Sequence, residues 1–260
     1  METMENTSAV ASIRNNFSSW LLTLVLFLAY WIYAHLANNS IFPAVPDIAR
    51  AFQNTWIGSG FATNVLPSLS NLAFGYLLGM GGGVLLGSLI GRVSIIRNIT
   101  SPVISFLLTI PPIAMIPIFL LIFGVGQQMQ TAIITFATLT YMLLATAAAV
   151  ERIEPTLMAT AKIYKIDGLR RFFQIILPYA LPRILAAARV SLATAILVMV
   201  VSEMVGASRG IGAQILIAQQ SFAYADMWSG LVLVGILGVG LNFIFAAVEK
   251  KVEKFLGRTK

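Results

Sequence analysis

The chain has 260 residues, of which 58% are hydrophobic and only 10% charged, with a mean hydropathy of +0.87. Soluble domains carry about 25% charged residues, so this much apolar surface has lipid as its solvent; the length suits one membrane domain, 1–260, all-α, of about six transmembrane helices. Cysteine is absent, which excludes disulfides, thiolate metal sites and a catalytic cysteine, and the net charge of +7 is spread over loops between apolar runs, where it reads as topology and not as a nucleic-acid surface.

The first apolar run, Trp20–Leu36, follows a polar segment with a single basic residue, Arg14. No small-residue cleavage site follows it, so it reads as a permanent span and not a signal peptide. Five further runs are about Leu66–Ile90, Thr100–Phe123, Met129–Val150, Arg183–Val205 and Trp228–Val248. Each is near or above the roughly 20 residues that cross a bilayer as helix, the only open structure that satisfies its own backbone in lipid.

In the second run Gly75, Gly79, Gly83, Gly87 and Gly91 recur at an unbroken spacing of four. Such a ridge lets another helix approach closely, so it predicts a packing seam, with pore lining as the alternative. The third run is interrupted by Pro111, Pro112 and Pro117. Prolines inside a span kink or unwind it, which transporters do near a translocation path, so the three are pathway candidates or a simple kink.

Lysine and arginine set the orientation. One side holds Arg14, Arg92, Arg97, Arg152, Lys162, Lys165, Arg170, Arg171, Arg183, Arg189, Lys250, Lys251, Lys254, Arg258 and Lys260, which is 15 of the 17. The other holds Arg50 and Arg209. By the positive-inside rule the rich side is cytoplasmic, both termini face it, and the loops Ala37–Val65 and Gly206–Met227 face outward.

Between the fourth and fifth runs lies a polar, basic interval, 151–182. Glu154-Pro155 starts a short helix that runs to about Ile166, with Gly168 as its stop. A second short helix places Leu169, Phe172, Phe173 and Ile176 on one face and Arg170, Arg171 and Gln174 on the other, until Pro178 and Pro182 end it. The pattern predicts either a segment lying on anionic lipid or a contact for a soluble partner.

Within this interval Ala159-Thr160-Ala161, followed by Ile175-x-Leu177-Pro178, resembles the EAA loop of permease subunits in bacterial ABC importers. The resemblance extends over nearly the whole chain and is nearest the nitrate, sulfonate, taurine and bicarbonate permeases. Ile110-Pro111, Ala114, Pro117 and Phe123-Gly124-x-Gly126 are similar to the family's third span. Arg189, Ser202-Glu203-Met204, Gly210-Ile211-Gly212, Asp226 and Gly238 are similar to its later part. The resemblance implies a cytoplasmic coupling segment that docks on an ATP-hydrolysing partner, through Ala159, Thr160, Ala161, Lys165, Asp167, Gly168, Ile175, Leu177 and Pro178. The chain departs from the family at three places: Ala159 stands at its glutamate, Lys165 at its glycine, and Ile122 at its tryptophan. Either the turn moves to Gly168 or Lys165 bridges it.

Charges inside spans are functional suspects. Glu203 lies near the outer end of the fifth run and Arg189 near its inner end. They are 14 residues apart, about 21 Å along one helix, so each needs another partner. Glu203 is a gate or cavity residue, or a structural ion pair or helix end; Arg189 anchors the coupling segment or meets an anion. Ser202 joins them as a pathway candidate. Asp226 reads as a helix start. No G-x-x-x-x-G-K-[ST] loop is present, so ATP is not bound by that route, and the single histidine, His35, reads as an interfacial residue.

The reading is therefore a non-enzymatic permease of an ATP-driven importer for a small solute, an anion such as a sulfonate or nitrate, in a bacterial plasma (inner) membrane. The resemblance implies two cytoplasmic ATP-binding subunits, which hold ATP and Mg, a second or homologous permease, and an extracytoplasmic substrate-binding protein. The alternatives are an ion-coupled secondary transporter, which predicts buried acids and an inverted repeat, and, further off, an intramembrane hydrolase built on a serine–histidine pair.

Overall fold

The computed structural model describes residues 21–22, 24–36 and 40–255. Trp20, Arg14, Arg258 and Lys260, used above for the first span and the orientation, lie outside the described residues.

The described residues form helices joined by short turns. In chain order these are α1 (Leu24–Leu36), α2 (Val45–Trp56), α3 (Leu66–Arg92), α4 (Ser94–Thr109), α5 (Ile116–Phe123), α6 (Gln127–Glu151), α7 (Pro155–Ile163), α8 (Gly168–Arg171), α9 (Leu177–Gly206), α10 (Ile211–Gln220) and α11 (Tyr224–Phe255). A π-helical turn, Phe61–Val65, leads into α3, a 3-10 turn, Pro112–Met115, precedes α5, and a second π turn, Phe172–Ile176, joins α8 to α9. Among the described residues, four continuous helical stretches are long and apolar enough to cross a membrane: Phe61–Arg92, Gln127–Glu151, Gly168–Gly206 and Tyr224–Val252.

The packing of α3 on α6 decides the topology. A Cβ built on each glycine of the ridge meets the Cβ of the residue 59 positions later: Gly75 and Ile134 at 2.8 Å, Gly79 and Thr138 at 2.6 Å, Gly83 and Met142 at 2.5 Å, Gly87 and Thr146 at 2.8 Å, Gly91 and Val150 at 3.0 Å. The Asn71–Gln130 hydrogen bond, 2.6 Å, has the same offset. A constant offset means that the helices run parallel, in register, with their backbones almost touching. From the level of Gly91 to that of Asn71 is about 30 Å of helix, the thickness of a hydrocarbon core. The chain must climb back that distance before α6 begins, so α4 and α5 together make one crossing although they meet at 90°.

The break has a local cause. Proline disfavours helix in the residue before it, and Ile110 is extended, with φ −85° and ψ 115°. Pro111 is extended too, Pro112 opens the 3-10 turn and Pro117 stands in the first turn of α5, where a proline needs no partner for its missing N–H. The third apolar run therefore divides at its prolines into two helices. It also starts earlier than its hydropathy indicates, because Arg97 sits in α4 and pairs with Glu151 at 3.0 Å.

α9 returns antiparallel to α6. Met142, Val150 and Ile153 pack with Ile176, Ala180, Ile184 and Ala188 toward one end. Ile133 and Met129 pack with Ala195, Met199 and Ile211 toward the other. Tyr76 of α3 donates to the Ala188 carbonyl at 2.6 Å, so three helices share one core. α11 is held mainly at its start, where Trp56 donates to Ser229 at 2.8 Å and Thr55 donates to Asp226 at 2.9 Å. α4 buries no residue within this chain.

Candidate functional site

Arg92, Arg97, Arg152 and the segment from Pro155 to Arg171 gather at one end of the bundle, with Lys250, Lys251 and Lys254 of α11. Arg50 and Arg209 lie at the opposite end. α7 stands on the basic end: Leu157 and Met158 pack against the cluster of α6 and α9 residues around Ile176, and Ala161 is buried.

The turn after α7 is tight and internally bonded. Ile166 N–H donates to the Ala161 carbonyl at 2.9 Å and Lys165 N–H to the Lys162 carbonyl at 3.1 Å. This pair of bonds is a Schellman cap, whose left-handed position usually holds glycine. Here it holds Lys165, with φ +53°. Lys165 therefore bridges the turn, and the helix stops at Ile163, short of Ile166. Gly168, also left-handed at φ +58°, serves a different purpose: it opens α8 and does not stop α7. The same cap ends α10, with Phe222 at φ +57°.

The second short helix differs from its periodic reading. The π turn Phe172–Ile176 inserts one residue, so the apolar set divides: Ile176 is buried and Phe172 half-buried, whereas Leu169 and Phe173 are 78% and 61% exposed. Arg171 does not face solvent with Arg170. It folds back, donating to the Ile166 carbonyl at 2.8 Å and pairing with Asp167, and so staples the turn. Pro178 and Pro182 do not end the helix. Pro178 lies in the first turn of α9 and Pro182 inside it, and the stretch Gly168–Gly206 is continuous. The wider turn immediately upstream accommodates Pro178, because it leaves the ladder before the missing N–H is required. From Gly168 onward the segment is thus continuous with α9. Ile175, Leu177 and Pro178 are half-buried along this junction, and Ala159 and Thr160 are exposed.

The result is a basic projection with an apolar tip. Ile163 (78% exposed), Tyr164 (72%) and Leu169 surround the turn, among the exposed Lys162, Lys165 and Arg170.

At the opposite end, Glu203 is 1% exposed. Its Oε2 accepts from Gly212 N–H at 2.9 Å, at the start of α10. Ser68 Oγ accepts from Ile211 N–H at 2.9 Å and Asn64 Oδ1 from Gly210 N–H at 3.2 Å. Three buried side chains from two helices therefore take the first N–H groups of α10, and the carboxylate lies at the positive end of its dipole. A Cβ on Gly210 would strike the Glu203 carboxylate at 2.7 Å, so only glycine fits beside it. Ser202, fully buried, donates back to the Met199 carbonyl at 2.9 Å. Arg189 donates to Asn242 Oδ1 at 2.7 Å and lies 3.9 Å from Glu249, so its partners are on α11. Pro111 and Pro117 are exposed on a face this chain does not cover. His35 is exposed at the end of α1.

Sequence reasoning left α2, α10 and Asn64 inside loops, and did not single out Ser68 within the second apolar run. Pro46-Asp47 after an extended residue, and Gly210 before an apolar run, are the helix-start signals that identify them.

Parallel, glycine-sealed crossings with a basic projection at one end define a multi-pass helical membrane protein. A family model described as binding-protein-dependent transport system inner membrane component matches residues 83–257, more than half of the chain, and the chain belongs to that family. It is similar to the nitrate import permease protein NrtB of Synechococcus elongatus, 28% identical over 255 residues, covering 91% of this chain and 90% of that protein. It is also similar to the putative aliphatic sulfonates transport permease protein SsuC of Bacillus subtilis, 26% identical, covering 85% and 80%. Among solved structures, the MetNI methionine ABC transporter in an inward-facing conformation has the same fold, with a TM-score of 0.64 at 22% identity, covering 73% of this chain and 94% of that chain. The protein is an ABC importer permease.

Proposed function

We propose that this permease imports a small oxyanion, with energy supplied by ATP on separate subunits that dock at the basic end. Two cytoplasmic ATP-binding subunits hold ATP and Mg; a second permease, identical or homologous, completes the pathway; an extracytoplasmic binding protein delivers the solute at the end bearing α2 and α10. Both termini are cytoplasmic, α1 belongs to the sixth crossing, and the whole of 1–260 is one permease domain. The exposed faces of α4 and α5 are available to the second permease and to lipid.

One observation carries the coupling role. Leu169, 78% exposed at the tip, belongs to a stretch that runs unbroken from Gly168 to Gly206, so a load there reaches Ser202 and Glu203 without crossing a loop, while Ile163 and Tyr164 join it through the turn that Arg171 staples. Ala159, Thr160, Ala161, Lys165, Asp167, Gly168, Ile175, Leu177 and Pro178 form or support that tip. α7 bears on α6 and α9, and so displacement enters the bundle there and not through the proline-broken pair α4–α5. Solvent-exposed apolar side chains ringed by cations fit a groove on an acidic protein better than bare solvent. The buried acid that an ion-coupled transporter would require, Glu203, is engaged through one oxygen with the Gly212 N–H of α10. The anion class rests on the nitrate and sulfonate permeases to which the chain is similar.

Reconstitution tests the proposal. Proteoliposomes containing this chain, its genome-neighbouring ATPase and its binding protein should accumulate nitrate or an alkanesulfonate only with ATP. Uptake by this chain alone, without ATP, overturns it.

A further inference from the structure

At the end opposite the basic projection a polar cavity of about 380 Å³ opens between the start of α6 and the loop that precedes α10. It lies at the small end of the range for ligand pockets, roughly 300–1,000 Å³. Arg209 lines it and makes no ion pair among the described residues, whereas Arg50, the other cation of this end, is tied to Asp47 at 3.4 Å. No carboxylate lines the cavity. The 25-residue helix α6 begins here at Gly126, with no side chain capping its first N–H groups, so the positive end of its dipole is open to the cavity.

An independent feature points to a ligand. Asn71 lines the cavity at 4% exposure, and its Oδ1 has no hydrogen-bond partner. Its Nδ2 is committed to Gln130, itself 3% exposed and also in the lining. A buried amide left half-satisfied costs free energy unless something polar enters. Because the contact joins two amides, reversing both preserves it and turns the orphan atom of Asn71 into an N–H2 donor. The pair can therefore meet either water or an oxyanion. The backbone that follows the exposed Arg209 is fixed, since Gly210 N–H is anchored on Asn64 and Gly212 N–H on the Glu203 carboxylate.

We infer that this cavity is a reception site within the permease for a small oxyanion of the nitrate or sulfonate type, bound by Arg209, the open start of α6 and the Asn71–Gln130 amides. Its role in transport rests on the importer reading above; its anion binding does not. A guanidinium and a helix start supply charge-assisted hydrogen bonds to planar or tetrahedral oxygens, and the amides reject anions that cannot accept further bonds.

The absence of cysteine makes the site directly testable. In the full-length chain, Ser208→Cys introduces the one thiol, at the cavity wall. Its modification is followed with an anionic and a cationic methanethiosulfonate reagent, each normalised to its rate on a free thiol. The anionic reagent should react faster by roughly fivefold, and Arg209→Gln should remove that preference. At ionic strength fixed with sodium chloride, exchange of chloride for sodium nitrate or sodium methanesulfonate should slow labelling, whereas neutral dimethyl sulfone should not. Arg209→Gln, and Asn71→Leu with Arg209 intact, should each weaken protection by about tenfold or more. Equal rates for the two reagents, or labelling indifferent to nitrate and methanesulfonate, overturn the site. Protection absent with Arg209 and Asn71 both intact, while ATP-driven anion uptake persists, overturns the site and leaves the importer reading standing. Protection present without anion uptake supports the site and overturns the cargo.

Discussion

Replacing Gly83 by alanine should weaken the fold, whereas the same change two residues earlier should not. A Cβ at Gly83 would lie 2.5 Å from Met142 Cβ, 2.9 Å from Leu143 N and 3.0 Å from the Leu139 carbonyl oxygen, whereas one at Gly81 meets nothing within 4 Å. Carbon atoms in good contact are about 3.5–4.0 Å apart, so α3 and α6 must separate by about 1 Å at this level. Gly79 and Gly87 are nearly as tight, at 2.6 Å and 2.5 Å, so the helix cannot pivot around the new methyl without opening the seam above or below. Overpacking of this kind costs about 1–3 kcal/mol. Each substitution also gains the helix preference of alanine over glycine, about 0.5–1 kcal/mol. That gain is common to both, so the stability difference between Gly81→Ala and Gly83→Ala isolates the clash, about 1–3 kcal/mol. Thermal unfolding in detergent micelles, followed by circular dichroism, measures it. Equal Tm values for the two variants would refute the parallel, backbone-to-backbone seam.

Glu203→Ala should destabilise by about 1–3 kcal/mol, because the buried Gly212 N–H loses its acceptor, and Glu203→Gln, which keeps an acceptor oxygen, should cost clearly less; denaturant unfolding in micelles ranks the two. Lys165→Gly should relieve the left-handed strain of a residue with a Cβ and, after the extra freedom of glycine in the unfolded chain, stabilise the turn by about 0.5–1 kcal/mol. Hydrogen exchange at Ile166 N–H, whose bond closes the cap, should slow about two- to fivefold. Leu169→Glu, at a position 78% exposed, should shift stability by no more than about 0.5 kcal/mol while co-purification with the ATPase and ATP-driven uptake fall together; uptake at the unmodified level would remove Leu169 from the docking surface.

Much of the architecture is legible in the sequence, and the reason is local. In lipid each span must satisfy its backbone internally, so an apolar run announces a helix, and the runs at Met129–Val150 and Trp228–Val248 lie wholly inside α6 and α11. A glycine at every fourth residue announces a face that can be approached, and prolines at 111, 112 and 117 announce a break. The same locality explains the misreadings. Pro178 and Pro182 were stop signals on propensity alone, but one inserted residue in the Phe172–Ile176 turn carries the helix through and divides the apolar face around Leu169 and Ile176. The amphipathic period assumed an unbroken 3.6-residue ladder, which a π turn violates.

Other features arise only between distant segments. The sequence shows five glycines in a row along one helix, but not that they meet Ile134 through Val150, nor that the two helices run parallel and so force α4 and α5 to share a single crossing. It shows Glu203 as a costly charge, but not that the Gly212 N–H at the start of α10 donates to it while Ser68 and Asn64 take the neighbouring N–H groups. Asn71, Gln130 and Arg209 are unremarkable residues in three separate stretches until α3, α6 and the loop before α10 bring them to one cavity. Hydropathy and spacing are properties of neighbours along the chain. Register between helices, the partner of a buried charge and the shape of a cavity depend on which side chains leave room for which others, and that is decided by close packing in three dimensions.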